Sequence, residues 1–210
     1  MTKEELNHIL YDITYIDYVK ILKEKYGEVC GPFFYLTRNN TLVKNQKISR
    51  GKEGLYIHHV FENLFINLSN IDYYKQLLDE YKDNKKLLEV VSKTQEPEFL
   101  CYCNLLEHLI LHMKIALEYN REQYEVGIHF IALDLTHYYD LGDNNLIKAT
   151  FSAKNHQWKQ QVYYNIKDDY EIYVELCKVG INQLNLDPNI FLLDWFGCKY
   201  KKLAKDLDIK

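Results

Sequence analysis

Two histidines four residues apart, His108 and His112, sit in the run NLLEHLILHMKIALEYN, residues 104–120. In an α-helix that spacing puts both imidazoles on one face, a turn apart, where their ring nitrogens can converge on one cation. Such pairs also arise by chance, and a lone histidine on an apolar helix is more often part of the core. A second pair changes the reading. His58 and His59 close the run LYIHHV, residues 55–60, a compact apolar stretch whose β-branched and aromatic members suit a strand. Neighbouring strand residues point to opposite sides, so the two need not share a task. Neutral imidazole is a ligand for divalent metals. It is also the side chain best placed to take a proton from water near neutral pH.

These residues need elements that bring them together. Asn104 can cap the His108 helix, with Glu107 three residues later closing a capping box. Immediately before it, FLCYC, residues 99–103, reads as a second short strand. Strand, excursion, strand and helix form a ββα arrangement, with histidines at the end of the first strand and on the helix. The excursion, residues 61–98, is polar and asparagine-rich, with one helix expected across 71–93 and Pro97 marking its end. Two helices are expected to open the chain, capped by Thr2 with Glu5 and by Thr14 with Asp17. The second should end near Gly27 and bury a stripe of Ile16, Val19, Ile21 and Leu22. Residues 31–50 read as short strands and loops. Residues 121–210 read as mainly helical, with a loop at 142–145 and a break at Asp187-Pro188. The fold expected is α+β, mainly α: a small ββα finger embedded among helices, with helical N- and C-terminal extensions. We read one domain. Residues 1–50 hold the N-terminal helices and a basic segment, 50–118 the core with an insertion at about 64–96, and 121–210 the helical extension.

GLYIHHV followed by EFLCYCNLLEHLILH resembles the HNH, or His-Me finger, nucleases. Many members carry an HHI-type strand, then a strand and helix of the type NLVxLTxxEHxxAH. Glu107-His108 and His112 match the E-H and the final H of that pattern, and Leu100 and Tyr102 fall on its strand positions. The resemblance covers roughly residues 50–118, about a third of the chain. It implies a ββα-metal fold in which His58, His108 and His112 hold the cation and His59 is the general base. The implied activity is metal-dependent hydrolysis of DNA phosphodiester bonds, in restriction, mobile-element or phage biology, leaving a 5′ phosphate. Mg²⁺ or Mn²⁺ is the implied working ion, and Zn²⁺ or another transition metal is the ion imidazole holds best. Two departures stand out. Most members place an asparagine nine residues before the first helix histidine to orient the base, and here that residue is Phe99. Asn63, Asn67, Glu98 or a backbone carbonyl is then the expected substitute. The stretch from His59 to His108 is also longer than in compact members, an insertion that loops tolerate cheaply.

The chain has 210 residues, is 47% hydrophobic and 27% charged, and contains only 8 Gly and 3 Pro, a composition that supports a packed core. Its net charge of −4 argues against nucleic acid as a partner, but distribution matters more than the sum. Arg38, Lys44, Lys47, Arg50 and Lys52 face only Glu53 between residues 38 and 54, and run directly into His58. They are the candidate contacts to DNA phosphates. A weaker basic run, Lys199, Lys201, Lys202 and Lys205, lies near the C-terminus. The first residues lack the pattern of a signal peptide, and no apolar stretch is long enough to span a bilayer, which points to the cytoplasm and to no membrane partner. The five cysteines are odd in number and scattered, against a disulfide framework; a zinc site from Cys30, Cys101 and Cys103 would lack a second cluster. There is no P-loop, GxGxxG or GxSxG. Two other functions fit the same residues. One is a degenerate HNH fold that binds nucleic acid or protein without cutting, and the other is a zinc hydrolase of a small substrate. Restriction enzymes of the HNH type are often homodimers, so self-association is compatible with the resemblance.

Overall fold

The computed structural model describes residues 1–119, 124–193 and 199–209. Cys198 and the boundary expected at residue 121 lie outside them. The chain is α+β and mainly α, with two antiparallel two-stranded sheets set among helices.

Helix α1 (Lys3–Asn7) carries both bonds of the Thr2–Glu5 capping box, and it runs into a π-helical turn over His8–Asp12. Helix α2 (Tyr15–Tyr26) is capped by Thr14, whose hydroxyl accepts from the Asp17 amide, and it ends at Gly27. Its buried stripe differs from the aliphatic one expected. Ile16 and Ile21 are 40% and 45% exposed, and the inward face is Tyr15, Tyr18, Val19 and Leu22. A tyrosine ring is a large apolar surface, and these two take the positions at which the sequence suggests isoleucine.

Strands β1 (Phe34–Leu36) and β2 (Leu42–Lys44) form a hairpin, and β3 (Tyr56–His59) follows. The excursion holds two helices, α3 (Ile71–Glu80) and α4 (Lys85–Lys93), instead of one across 71–93. The break falls at Asp83-Asn84. Asn84 accepts from the Leu87 amide and starts a new helix, because short polar side chains compete with the helical backbone for its own donors. Strand β4 (Leu100–Cys103) then pairs antiparallel with β3, placing His58 opposite Cys101 and His59 opposite Leu100. Helix α5 (Leu105–Tyr119) follows directly, completing the expected ββα unit. The remainder is helical: α6 (Glu125–Asp143), α7 (Ile147–Thr150), α8 (Gln157–Ile166), α9 (Tyr170–Gln183), α10 (Asn189–Leu192) and α11 (Lys201–Asp206). None of the described helices is long and apolar enough to cross a membrane.

The β3–β4 sheet separates two apolar clusters. Cys101, Cys103 and Tyr56 join the cluster built by α1, α2, α5, α6 and α9. Leu100, Tyr102 and Ile57 join the other, with Phe33, Phe34, Tyr74 and Val91. With both faces covered, these strands read in sequence as continuous apolar runs. Helix α5 is buried on nearly every side and is pinned by Lys114, itself fully buried. The Lys114 ammonium donates to the carbonyls of Ile9 (2.8 Å) and Ile13 (2.6 Å) at the π-helical turn and pairs with Glu118 at 2.9 Å. A buried cation is tolerable only when partnered in this way.

Candidate metal centre

The alternation of β3 divides the histidine pair. His58 lies on the side of α5, with its ring centroid 5.3 Å from those of both His108 and His112. His59 lies on the other side, with its ring edge-on to Phe33 at 4.5 Å. On α5 the cap works as expected: Asn104 Oδ1 accepts from the Glu107 amide, and Glu107 accepts from the Asn104 amide. One turn further on, the His108 and His112 rings are 5.0 Å apart. Gly127 of α6 makes room for them, because a Cβ there would lie 2.6 Å from His112 Nδ1.

The group has a fourth member that the sequence reading missed. Immediately after β3 the chain turns through a 3₁₀ segment, Val60–Asn63, which carries Glu62 back over the histidines. One ligand atom from each of His58, Glu62, His108 and His112 lies within 4.8 Å of the others. Glu62 Oε2 is 3.2 Å from His112 Nε2 and 3.4 Å from His58 Nδ1, and Oε1 is 3.9 Å from His59 Nδ1. The signal in the sequence was Glu62 at four residues from His58. That spacing is meaningful only if the strand stops at His59 and the chain turns at once.

The hydrogen bonds fix the tautomers. The Tyr15 hydroxyl donates to the Val60 carbonyl at 2.9 Å, so at 2.7 Å from His58 Nε2 it must accept. His58 therefore carries its proton on Nε2 and turns the lone pair of Nδ1 toward the Glu62 carboxylate. His59 is fixed in the same way. Its Nε2 lies 3.2 Å from Gln95 Oε1, while the Gln95 amide donates to the Leu68 carbonyl and to Thr94 Oγ1. Thr94 spends its own proton on the Val91 carbonyl, so the Gln95 oxygen can only face His59. His59 Nε2 is then the donor, and Nδ1 again presents a lone pair. Both Nδ1 atoms and that of His112 are buried without a hydrogen-bond partner. The Glu62 carboxylate and the Nδ1 lone pairs of His58 and His59 face one another with no proton between them, whereas His112 turns Nε2 to Glu62 and Nδ1 to Gly127. Such a donor set is one a cation satisfies. The residues present fit a divalent metal on chemical grounds. The ion itself is not identified by them.

Gln95 also corrects an expectation. Neither Asn63, Asn67 nor Glu98 bonds to His59, and the Glu98 backbone carbonyl instead accepts from Lys23. A side-chain amide does orient His59, but it comes from the end of the inserted segment, four residues before Phe99, whose ring packs on Phe61 at 4.7 Å. The cysteines form no comparable set: Cys101 and Cys103 are buried and Cys30 is exposed, and only the His58–Glu62–His108–His112 group assembles among the described residues.

Charge follows burial. Burial drives the His58 pKa well below its ordinary value, His59 to about 4 and His108 to about 3, so all three are neutral at pH 7. Burial alone would raise the Glu62 carboxyl. The hydrogen bond from His112 and the attraction of His58, His112 and His59 outweigh it, and Glu62 stays ionised. All four shifts act on stability in one direction. Each group binds protons more readily in the unfolded chain, so stability is lost as the pH falls toward the depressed folded values, from below about 6.5 for the histidines and from below about 4.5 for Glu62. For His59 alone the drop from 6.5 to about 4 corresponds to about 3 kcal/mol. The metal-free protein is therefore expected to melt at progressively lower temperature from pH 6.5 to 4. A thermal-unfolding series in EDTA that is flat over this range would contradict it.

The Tyr15 hydroxyl gives a second expected result. Tyr15→Phe leaves the His58 Nε2–H unpartnered and frees the tautomer. Losing an outer-shell partner of this kind costs ~10–100-fold in metal affinity, readable by Zn²⁺ competition titration, with the fold kept because only one oxygen is removed.

Two cavities open onto the group. One, of about 320 Å³, is lined by Glu62, His108 and His112 together with Ile66, Val126 and Phe130. The other, of about 500 Å³, meets His108 and is lined by Lys44, Arg50, Lys52, Tyr56 and Trp158. Three of the five basic candidates are thus beside the histidines, while Arg38, at the hairpin turn, and Lys47 line neither cavity. Arg50 is held internally: it donates to the Tyr26 carbonyl, pairs with Glu53 and stacks on Tyr102 at 4.9 Å. Of the C-terminal lysines, Lys202 pairs with Asp143 and covers the Tyr170 ring at 3.9 Å. Comparison of the chain with protein-family models, with curated proteins and with solved structures found no match.

Proposed function

We propose that the protein is a metal-dependent endonuclease of the HNH type that hydrolyses phosphodiester bonds in DNA. One observation carries the reading: a strand end and the helix of a ββα unit bring three imidazoles and a carboxylate within 4.8 Å, with buried lone pairs that lack donors. His58, His108 and His112 would hold the cation, with Glu62 as a further ligand. When bound, the cation supplies charge stabilisation to the scissile phosphate and the departing 3′ oxygen. His59 is the base. It is neutral at pH 7, its Nε2–H is held by Gln95, and its Nδ1 lone pair faces the Glu62 end of the group. Because His59 lines neither cavity, a proton from the attacking water would be relayed to it by Glu62, whose Oε1 lies 3.9 Å from His59 Nδ1. The water oxygen would bond to phosphorus as the P–O3′ bond breaks, leaving a 5′ phosphate and a 3′ oxygen that takes up a proton from solvent to become a 3′ hydroxyl. The cationic wall of Lys44, Arg50 and Lys52 beside His108 favours a polyanionic substrate over a small neutral one. The burial of His59 favours the alternative of a site that binds DNA without cutting it. The separating experiment incubates purified protein with supercoiled plasmid and Mg²⁺, Mn²⁺ or EDTA. Nicking that EDTA abolishes is expected, and a metal-loaded protein that binds the plasmid yet leaves it intact selects the alternative.

A further inference from the structure

The two cavities beside the metal centre differ in chemistry, and together they specify the form of the substrate. They meet at Ile57, Ser69 and His108, which line both. The larger is cationic and aromatic, lined by Lys44, Arg50 and Lys52 and by Tyr56 and Trp158. The smaller is mainly apolar, with Glu62, His108, His112, Asn67, Ser69 and Tyr124 as its polar lining. Its rim is formed by Val126 and Phe130, one turn apart on α6, and these are 61% and 55% exposed. Large apolar side chains left open beside a polar site mark a binding surface.

We propose that this site takes single-stranded DNA, with phosphates along Lys44 and Lys52 and one unstacked base seated against Phe130 and Val126; the inference rests on the nuclease reading. A duplex presents a continuous phosphate exterior and keeps its bases stacked and paired inside, so the apolar cavity would have no group to receive. An unpaired strand offers both surfaces at once. Its phosphates meet a basic wall and its bases meet aromatic faces, the pairing on which single-strand binding is generally built. The volume decides how much enters. At about 320 Å³ the cavity lies at the lower end of small-ligand sites and has room for an unstacked base. Because the metal group is part of its lining, the seated base is adjacent to the phosphate to be cut. Phe130 is then a positioning residue for the substrate strand.

The test is fluorescence anisotropy of the full chain with a short labelled single-stranded DNA and with the same sequence as a duplex, both carrying phosphorothioate linkages against cleavage. The single strand is expected to bind at least about tenfold more tightly. Phe130→Ala is expected to weaken single-strand binding by about 5- to 100-fold, with Zn²⁺ affinity and thermal midpoint unchanged because the side chain is exposed. Val126→Ser, a smaller change on the same rim, should act in the same direction. Duplex binding as tight as single-strand binding, or full single-strand affinity in the Phe130→Ala variant, overturns the inference and leaves the nuclease reading standing. Binding of neither form by a protein that takes up Zn²⁺ overturns both.

Discussion

His108→Ala is expected to lower the affinity of the chain for Zn²⁺ by more than the ~10–100-fold that an outer-shell partner is worth. The variant loses one of four converging donors, and the three left, His58, Glu62 and His112, do not replace it. The fold should survive, because His108 borders both cavities while the rest of α5 is held by a large apolar cluster and by Lys114. A linked effect separates loss of the site from general damage. In the wild type, a ligand at a hundred times its dissociation constant stabilises the folded state by about 2.7 kcal/mol, so Zn²⁺ should raise the thermal midpoint. In His108→Ala that rise should disappear. The metal-free variant should also be less sensitive to acid than the parent, since it has one fewer imidazole held at a depressed pKa. Differential scanning calorimetry with Zn²⁺ or EDTA at pH 7 and pH 5 reads both effects. An undiminished Zn²⁺-dependent rise in the variant removes His108 from the site.

The second large effect is on catalysis. His59→Ala is expected to reduce plasmid cleavage by ~10²–10⁴-fold, the usual worth of a positioned general base, while Zn²⁺ affinity stays near that of the parent. The separation follows from the strand. His59 lies on the face of β3 opposite His58, against Phe33 and Gln95, and approaches the metal group only through Glu62 at 3.9 Å. Because the ring is fully buried, the variant also leaves a void, so rates are to be compared well below its own melting point. Gln95→Leu offers an independent check. It keeps the volume, removes the acceptor that fixes the Nε2–H, and should lower cleavage while leaving Zn²⁺ affinity intact. If His59→Ala cuts at close to the parental rate, His59 is a satisfied core histidine and the proton goes to Glu62 instead.

The parts of this site that were legible in the sequence are those fixed by local rules. The HxxxH spacing, the Asn104–Glu107 cap and the strand character of LYIHHV each depend on a few neighbouring residues, and the ββα order follows from placing them in sequence. What escaped depends on where the chain turns. Glu62 becomes a neighbour of His58 only because β3 stops at His59, and Gln95 reaches His59 only because the inserted segment folds back across 36 residues. The same limit explains Phe99. It stands where the resemblance leads one to expect an amide, and the amide that bonds to His59 comes from a different element. Helix α2 has the expected cap, end and buried Val19 and Leu22, but Tyr15 and Tyr18 complete its inward face while Ile16 and Ile21 face solvent, because a tyrosine ring buries as well as an aliphatic side chain. The basic segment could be counted but not apportioned. Lys44, Arg50 and Lys52 all line one cavity, but Arg50 is also committed to Tyr26 and Glu53, a division that depends on the packing of the hairpin.

X-ray absorption at the zinc edge tests most directly whether His58, Glu62, His108 and His112 hold one metal ion. Protein loaded with Zn²⁺ and dialysed is expected to retain one ion per chain. Its nearest shell should consist of nitrogen and oxygen at ~2.0–2.2 Å, with the outer-shell scattering of imidazole rings. That scattering should diminish in His108→Ala. A sulfur shell at ~2.3 Å would place the ion on Cys101 and Cys103 instead, and a protein that retains no zinc after dialysis would contradict the account outright.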